Sequence, residues 1–127
     1  HDSKTIDPEF GKVSHGFSLQ KPILELGAHV APTGLVFYDH DALGGEYTNN
    51  IFLTLHGSWN RSSKVGYKVI RVILDDQGEV VRTEDFVTGF LDGETVIGRP
   101  GAPMVMSDGS LLIADDKQSI IYRVFKS

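Results

Sequence analysis

No cysteine occurs among the 127 residues, which excludes disulfides and thiolate metal sites. No apolar run approaches the roughly eighteen residues that a membrane span requires, so no membrane partner is expected. Basic residues are also short, with 12 Lys and Arg against 17 Asp and Glu and a net charge of −5. That balance argues against a nucleic-acid footprint, which needs clustered cations on one face. A sustained helical period is missing, so little helix is expected. What the chain has instead is glycine: 14 residues spread between short apolar runs, as the tight turns of an all-β fold require. Its length suits one domain, able to bury about two thirds of its unfolded surface.

Residues 1–20 are polar, carry Pro8, Gly11 and Gly16, and read as an N-terminal arm. The start at His1 rather than methionine reads as a chain that is processed, tagged or cut from something longer. A partial β domain is expected over residues 21–127. Its strand candidates begin with a short one at 22–26 and continue with Leu35-Val36-Phe37-Tyr38, Asn50 to Leu55, Tyr67 to Leu74, and a broken one from Glu79 to Phe90. The last three are Ala102 to Met106, Ser110 to Ala114 and Ser119 to Phe125, with Asp108-Gly109 as a two-residue hairpin signal. The connection after Leu55 stands apart: His56-Gly57-Ser58-Trp59-Asn60-Arg61-Ser62 holds the only tryptophan and is far longer than a hairpin needs. Long polar loops on rigid strands are where function concentrates.

A weak repeat is visible. Leu35-Val36-Phe37, Ile51 to His56 and Tyr67 to Val72 share their order with Met104-Val105-Met106, Leu111 to Asp115 and Ile121 to Val124. Four-stranded units of roughly 40–50 residues are propeller blades. Two are expected, a first over about 31–91 and a second over about 99–127, with the second short of its fourth strand. Propellers close with about 4–8 blades. Either the chain is part of a longer propeller or copies assemble, as dimers or trimers, because two blades leave an apolar face uncapped at each end.

Several stretches together resemble one family. They are Ala28 to Tyr38, Leu55-His56-Gly57-Ser58-Trp59-Asn60-Arg61-Ser62 with Gly66-Tyr67, Gly98-Arg99-Pro100, Ser107 to Asp116, and Ile121-Tyr122-Arg123-Val124. In this order they are similar to the C-terminal part of the pyrroloquinoline-quinone (PQQ)-dependent sugar dehydrogenases of the glucose/sorbosone dehydrogenase group. The resemblance implies a six-bladed propeller with the quinone in its central mouth, usually with calcium, and oxidation of an aldose or sugar aldehyde. It implies a periplasmic or secreted location. By motif position Arg99 falls at a basic residue near the quinone carboxylates, while His29 and His56 fall where better-characterised glucose enzymes place a threonine and a lysine. Gly101 stands where those enzymes have a second arginine. The family's general-base histidine lies in earlier blades with no counterpart here, so the catalytic residue is unknown.

Each candidate has two readings. His56 is a ligand or base at the mouth, or it closes its loop through backbone contacts. Trp59 stacks on a quinone or sugar ring, or plugs the loop against the next blade. Arg61 and Arg99 pair with ligand carboxylates, although Arg61 also reads as a tether of its own loop. His29 faces the mouth or sits buried in the core, and His40 between Asp39 and Asp41 reads as solvated surface. Asp115-Asp116 is far short of the six to eight oxygens that Ca²⁺ takes, so no metal ligand is assigned. Two functions follow. The first is a quinoprotein-like propeller part that contributes a quinone- and sugar-binding rim. The second is a non-catalytic, self-assembling domain that binds a sugar or another small ligand.

Overall fold

A computed structural model describes residues 7–9, 11, 16 and 20–127, so most of the expected N-terminal arm lies outside the described residues. The described chain is all-β and its sheets are antiparallel. Strands β1 (Pro32–Tyr38), β2 (Asn50–Leu55), β3 (Lys68–Leu74) and β4 (Val80–Val87) form a four-stranded meander. A two-residue-per-strand hairpin follows, β5 (Leu91–Asp92) and β6 (Thr95–Val96). A second sheet is built from β7 (Pro100–Val105), β8 (Leu111–Asp115) and β9 (Ile120–Val124). Three consecutive antiparallel strands in each sheet match the order of the sequence repeat.

Burial explains the strand sequences. β2 is covered on both faces and reads as a nearly continuous apolar run. β4, at the outer edge, has apolar ends and a polar, mostly exposed middle with Arg82, Glu84 and Asp85. Its acids pair with the neighbouring strand, Asp85 with Lys68 at 2.6 Å and Glu84 with Arg71 at 3.6 Å. Between the two sheets lie Tyr38, Phe52, Val69, Leu111 and Ile113. Phe52 is fully buried and meets Phe86 at a centroid distance of 4.3 Å and Tyr38 at 5.4 Å. Burial of such a ring contributes about 2–3 kcal/mol. The sheets approach tightly where Gly34 faces Ala102: a Cβ on Gly34 would stand 2.7 Å from that of Ala102.

Two local expectations are corrected. Residues 22–26 form no strand. Pro22 lacks an N–H, and Leu24 and Leu26 instead lie across Leu53, Leu55, Ile70 and Val72 on the far face of the first sheet. The β7–β8 turn has three residues rather than two. The Met106 N–H donates to Ser110 O at 2.8 Å and the Gly109 N–H to Met106 O at 2.9 Å, with Gly109 at φ 80°. The β3–β4 turn repeats this arrangement, with Asp75 N–H donating to Glu79 O and Gly78 at φ 82°.

The second turn is pinned from the first sheet. The buried Tyr38 hydroxyl donates to Gly109 O at 2.8 Å and accepts from the Leu43 N–H at 3.1 Å. Burial raises its pKa. Tyr38→Phe is expected to cost about 1–3 kcal/mol, read from the urea midpoint, because it orphans a buried N–H and a buried carbonyl. His40, read as solvated surface, is instead half-buried and accepts the Ala42 N–H at Nδ1, 3.0 Å away.

In the same turn, Asp108 accepts the Ser110 hydroxyl at 2.6 Å and the Ser110 N–H at 3.0 Å, and faces Arg123. These bonds, the hydroxyl first, lower its pKa from 3.8 to about 2. A depressed carboxylate contributes stability that is present above its unfolded pKa and lost as pH falls through the folded one. Urea midpoints of the parent are therefore expected to drop between pH 3.8 and about 2 more steeply than those of Asp108→Asn. Parallel curves would contradict this.

Candidate functional site

The long connection between β2 and β3, residues 56–67, is a closed loop and forms one wall of a cleft. The His56 N–H donates to Ala31 O at 2.9 Å and the Gly57 N–H to Val30 O at 3.0 Å, which ties the loop's start to the segment before β1. Ser58, 2% exposed, donates its N–H to Val65 O and accepts the Val65 N–H at Oγ, 3.1 Å away. The Tyr67 hydroxyl donates to Ser58 O. Gly57 makes this closure possible. At φ 112° it occupies a backbone region that side chains rarely adopt, and a Cβ there would lie 2.4 Å from the Tyr67 ring.

The loop's tip points outward. Trp59 is 87% exposed, so within the described residues it does not plug the loop. Tyr67 takes that packing role because its ring fills the space that Gly57 leaves open. Arg61 donates from Nη1 to Ala28 O at 3.4 Å, consistent with the tether reading.

The opposite wall comes from residues 94–99 and 115–118. The Lys64 N–H donates to Glu94 Oε2 at 2.7 Å, linking the loop to the β5–β6 hairpin. Asp115, 2% exposed, organises the turn after β8: its Oδ1 accepts the backbone N–H groups of Arg99, Lys117 and Gln118 at 3.1, 3.0 and 3.0 Å. Burial pushes this carboxyl up, but the three N–H donors and the Arg99 charge outweigh it and hold the pKa low. Gly98 belongs to the same arrangement, since a Cβ there would strike Asp115 Oδ2 at 2.1 Å. Gln118 Nε2 donates to Ile97 O at 2.6 Å, and Lys117 Nζ donates to Val96 O.

Between the walls is a cleft of about 590 Å³, lined among others by His56, Trp59, Lys64, Val96, Arg99 and Lys117. Small-molecule sites commonly occupy roughly 300–1,000 Å³. Three permanent cations line it. Asp116 crosses from one wall to the other, with Oδ2 3.2 Å from His56 Nε2 and Oδ1 2.9 Å from Arg99 Nε. The Arg99 contact is close but not directed: the Nε N–H does not point along it, and among the described residues Nε is buried without a hydrogen-bond acceptor. The pair is therefore an ion contact rather than a directed hydrogen bond.

Of the residues singled out from sequence, the fold brings His56, Trp59 and Arg99 to the cleft. His29 is exposed, at φ 66°, and neither lines the cleft nor sits in the core. Arg61 also falls outside the lining. Sequence reasoning missed Lys64, Lys117 and the bridging role of Asp116. Lys117 directly follows the Asp pair, but spacing alone does not show that the turn aims it at a loop some fifty residues away. Among the described residues no group of three or more His, Cys, Asp or Glu is placed to hold a metal ion.

The comparisons with known proteins agree on one relationship. The model of the family described as TrAA12-like matches residues 14–92, more than half of the chain. A protein of Borreliella burgdorferi described as uncharacterized is 44% identical over 105 residues, 81% of this chain and 28% of that protein. The pyrroloquinoline quinone-dependent pyranose dehydrogenase of Coprinopsis cinerea is 44% identical over 52 residues, 41% of this chain and 6% of the relative. Among solved structures, the iodide structure of the Trichoderma reesei carbohydrate-active enzyme of family AA12 superposes with a TM-score of 0.62 at 21% identity, over 79% of this chain and 26% of that one. The holo PQQ domain of the Coprinopsis cinerea pyranose dehydrogenase gives 0.57 at 24% identity, over 77% and 27%. At these identities the structural likeness speaks for the fold alone, and the chain spans less than a third of each relative's length. The chain belongs to the TrAA12-like family.

Proposed function

We propose that the cleft is a binding site for pyrroloquinoline quinone and that the chain contributes part of the quinone- and sugar-facing rim of an oxidoreductase acting on a pyranose or another aldose, as in the glucose/sorbosone group. One observation carries this reading: three cationic side chains, Lys64, Arg99 and Lys117, converge on a cleft whose lip bears an exposed indole. A planar, multiply carboxylated ring fits such a donor set. Arg99, Lys64 and Lys117 would hold its carboxylates, His56 would hydrogen-bond at its edge, and Trp59 would cover a face. When bound, the quinone supplies a two-electron acceptor. The chain's own residues bind and orient it and keep water from the buried base of the loop. No proton-abstracting residue is assigned. Calcium, which takes six to eight oxygens, is not fitted by these residues: Asp115 Oδ1 is committed to three backbone N–H groups and Asp116 to His56 and Arg99, which leaves the buried Asp115 Oδ2 without enough companions.

In the same reading the two sheets are successive units of a propeller whose other units come from elsewhere. Equilibrium dialysis of the chain against the quinone tests the binding claim. Retention at micromolar concentrations supports it, and loss of all quinone across the membrane sinks it.

A second reading, self-assembly, rests on a separate observation. Leu35 and Phe37 are 60% and 51% exposed on the far face of the first sheet, while Met104 and Ile121 are 57% and 67% exposed on the outer face of the second. Each sheet therefore ends in an apolar face that a further copy would cover. Light scattering at rising concentration distinguishes assembly from a monomer.

A further inference from the structure

We propose that Asp116 is a positioning residue of the cleft, fixing the neutral His56 ring as its Nε2–H tautomer so that Nδ1 becomes a hydrogen-bond acceptor for a ligand hydroxyl. The inference rests on the reading of the cleft as a ligand site, and adds that the site selects a hydroxyl-bearing molecule beside its anion-binding groups.

The chemistry of the three side chains decides the direction of each bond. Asp116 presents one oxygen to each partner, Oδ2 to His56 Nε2 at 3.2 Å and Oδ1 to Arg99 Nε at 2.9 Å. An ionised carboxylate only accepts, and a guanidinium only donates. In a neutral imidazole the nitrogen facing the carboxylate must then carry the proton, and the other nitrogen keeps its lone pair. The backbone holds both ends of the bridge. His56 donates its N–H to Ala31 O at 2.9 Å and precedes the tightly packed Gly57. Asp116 follows the buried Asp115 and donates its own N–H to Arg99 O at 3.4 Å. The charged side chains that line the cleft, Lys64, Arg99 and Lys117, are donors without acceptor capacity, and the wall carboxylate Glu94 is engaged by the Lys64 N–H. Tyr67 spends its hydroxyl proton on Ser58 O. Among the described side chains that line the cleft, the His56 lone pair thus adds acceptor character to a wall of donors. An anion alone does not use it, whereas a molecule that also carries a hydroxyl does.

The test is the imidazole ¹⁵N spectrum of the intact chain at about pH 8, above the ordinary imidazole pKa of roughly 6.5. His56 is assigned among the five histidines by its loss in His56→Gln. The expected pattern is a protonated, pyrrole-type Nε2 and a pyridine-type Nδ1. Asp116→Asn is expected to weaken the preference: an amide can turn either its oxygen or its NH₂ toward Nε2, so the Nε2–H form is no longer imposed and the two nitrogens move toward averaged values. A parent spectrum with Nδ1 protonated, or with both nitrogens averaged, overturns the proposal, as does a folded Asp116→Asn with an unchanged tautomer. Should that variant unfold, the parent spectrum alone decides. The quinone reading fails separately, through dialysis, whatever the tautomer.

Discussion

Arg99→Gln is expected to weaken quinone binding about 10- to 100-fold while leaving the unfolding midpoint close to that of the parent. A hydrogen bond to a charged group contributes about 1.5–3 kcal/mol, and each 1.4 kcal/mol is tenfold in affinity. Arg99 lines the cleft, and because its Nε is buried against Asp116, a ligand carboxylate would meet the outer nitrogens of the guanidinium. Its side chain is 43% exposed, and its structural anchor is the backbone N–H on Asp115, which glutamine keeps. The variant therefore separates binding from folding. Calorimetry of the parent and the variant measures the difference, and equal affinities would remove Arg99 from the site.

The largest loss of stability is expected from Gly57→Ala. Two costs combine. A non-glycine residue at φ 112° carries backbone strain of about 1–3 kcal/mol, and a Cβ 2.4 Å from the Tyr67 ring forces repacking that costs about 1–3 kcal/mol more. Tyr67 is 5% exposed and bonded to Ser58 O, so it has no free space to move into. A drop of about 2–5 kcal/mol in urea unfolding is expected, with disturbed Trp59 emission because the loop carrying it must reopen. Gly27→Ala is the control: nothing lies within 4 Å of a Cβ there, and a change within about 0.5 kcal/mol is expected. Equal costs at the two positions would show that the loop is not locked through Gly57.

The strands were legible because their residues obey local rules. β-Branched and aromatic residues mark β1, β2, β3 and the last three strands, and Gly78 and Gly109 mark the turns they close. Residues 22–26 misled because an apolar run with no neighbouring strand looks the same in sequence whether it pairs or merely covers a sheet. The loop at His56 to Ser62 was legible as the place to look, and Arg99 as a partner for anions. Trp59 was half legible: stacking on a ligand and plugging the loop stood side by side, and only the Gly57–Tyr67 contact, ten residues apart in sequence, shows that the packing place is taken. Asp116 was hidden for a related reason. Its bridge joins His56, 60 residues away, to Arg99, and the turn geometry that aims it depends on the buried neighbour Asp115.

Because Trp59 is the only tryptophan and stands at the lip of the cleft, its emission reports directly on occupancy. Titration of the intact chain with pyrroloquinoline quinone is predicted to quench that emission saturably, at one quinone per chain, with a midpoint that moves to higher concentration in Arg99→Gln. Quenching that rises linearly without saturation, or a midpoint identical in the two proteins, would contradict the assignment of this cleft to the quinone.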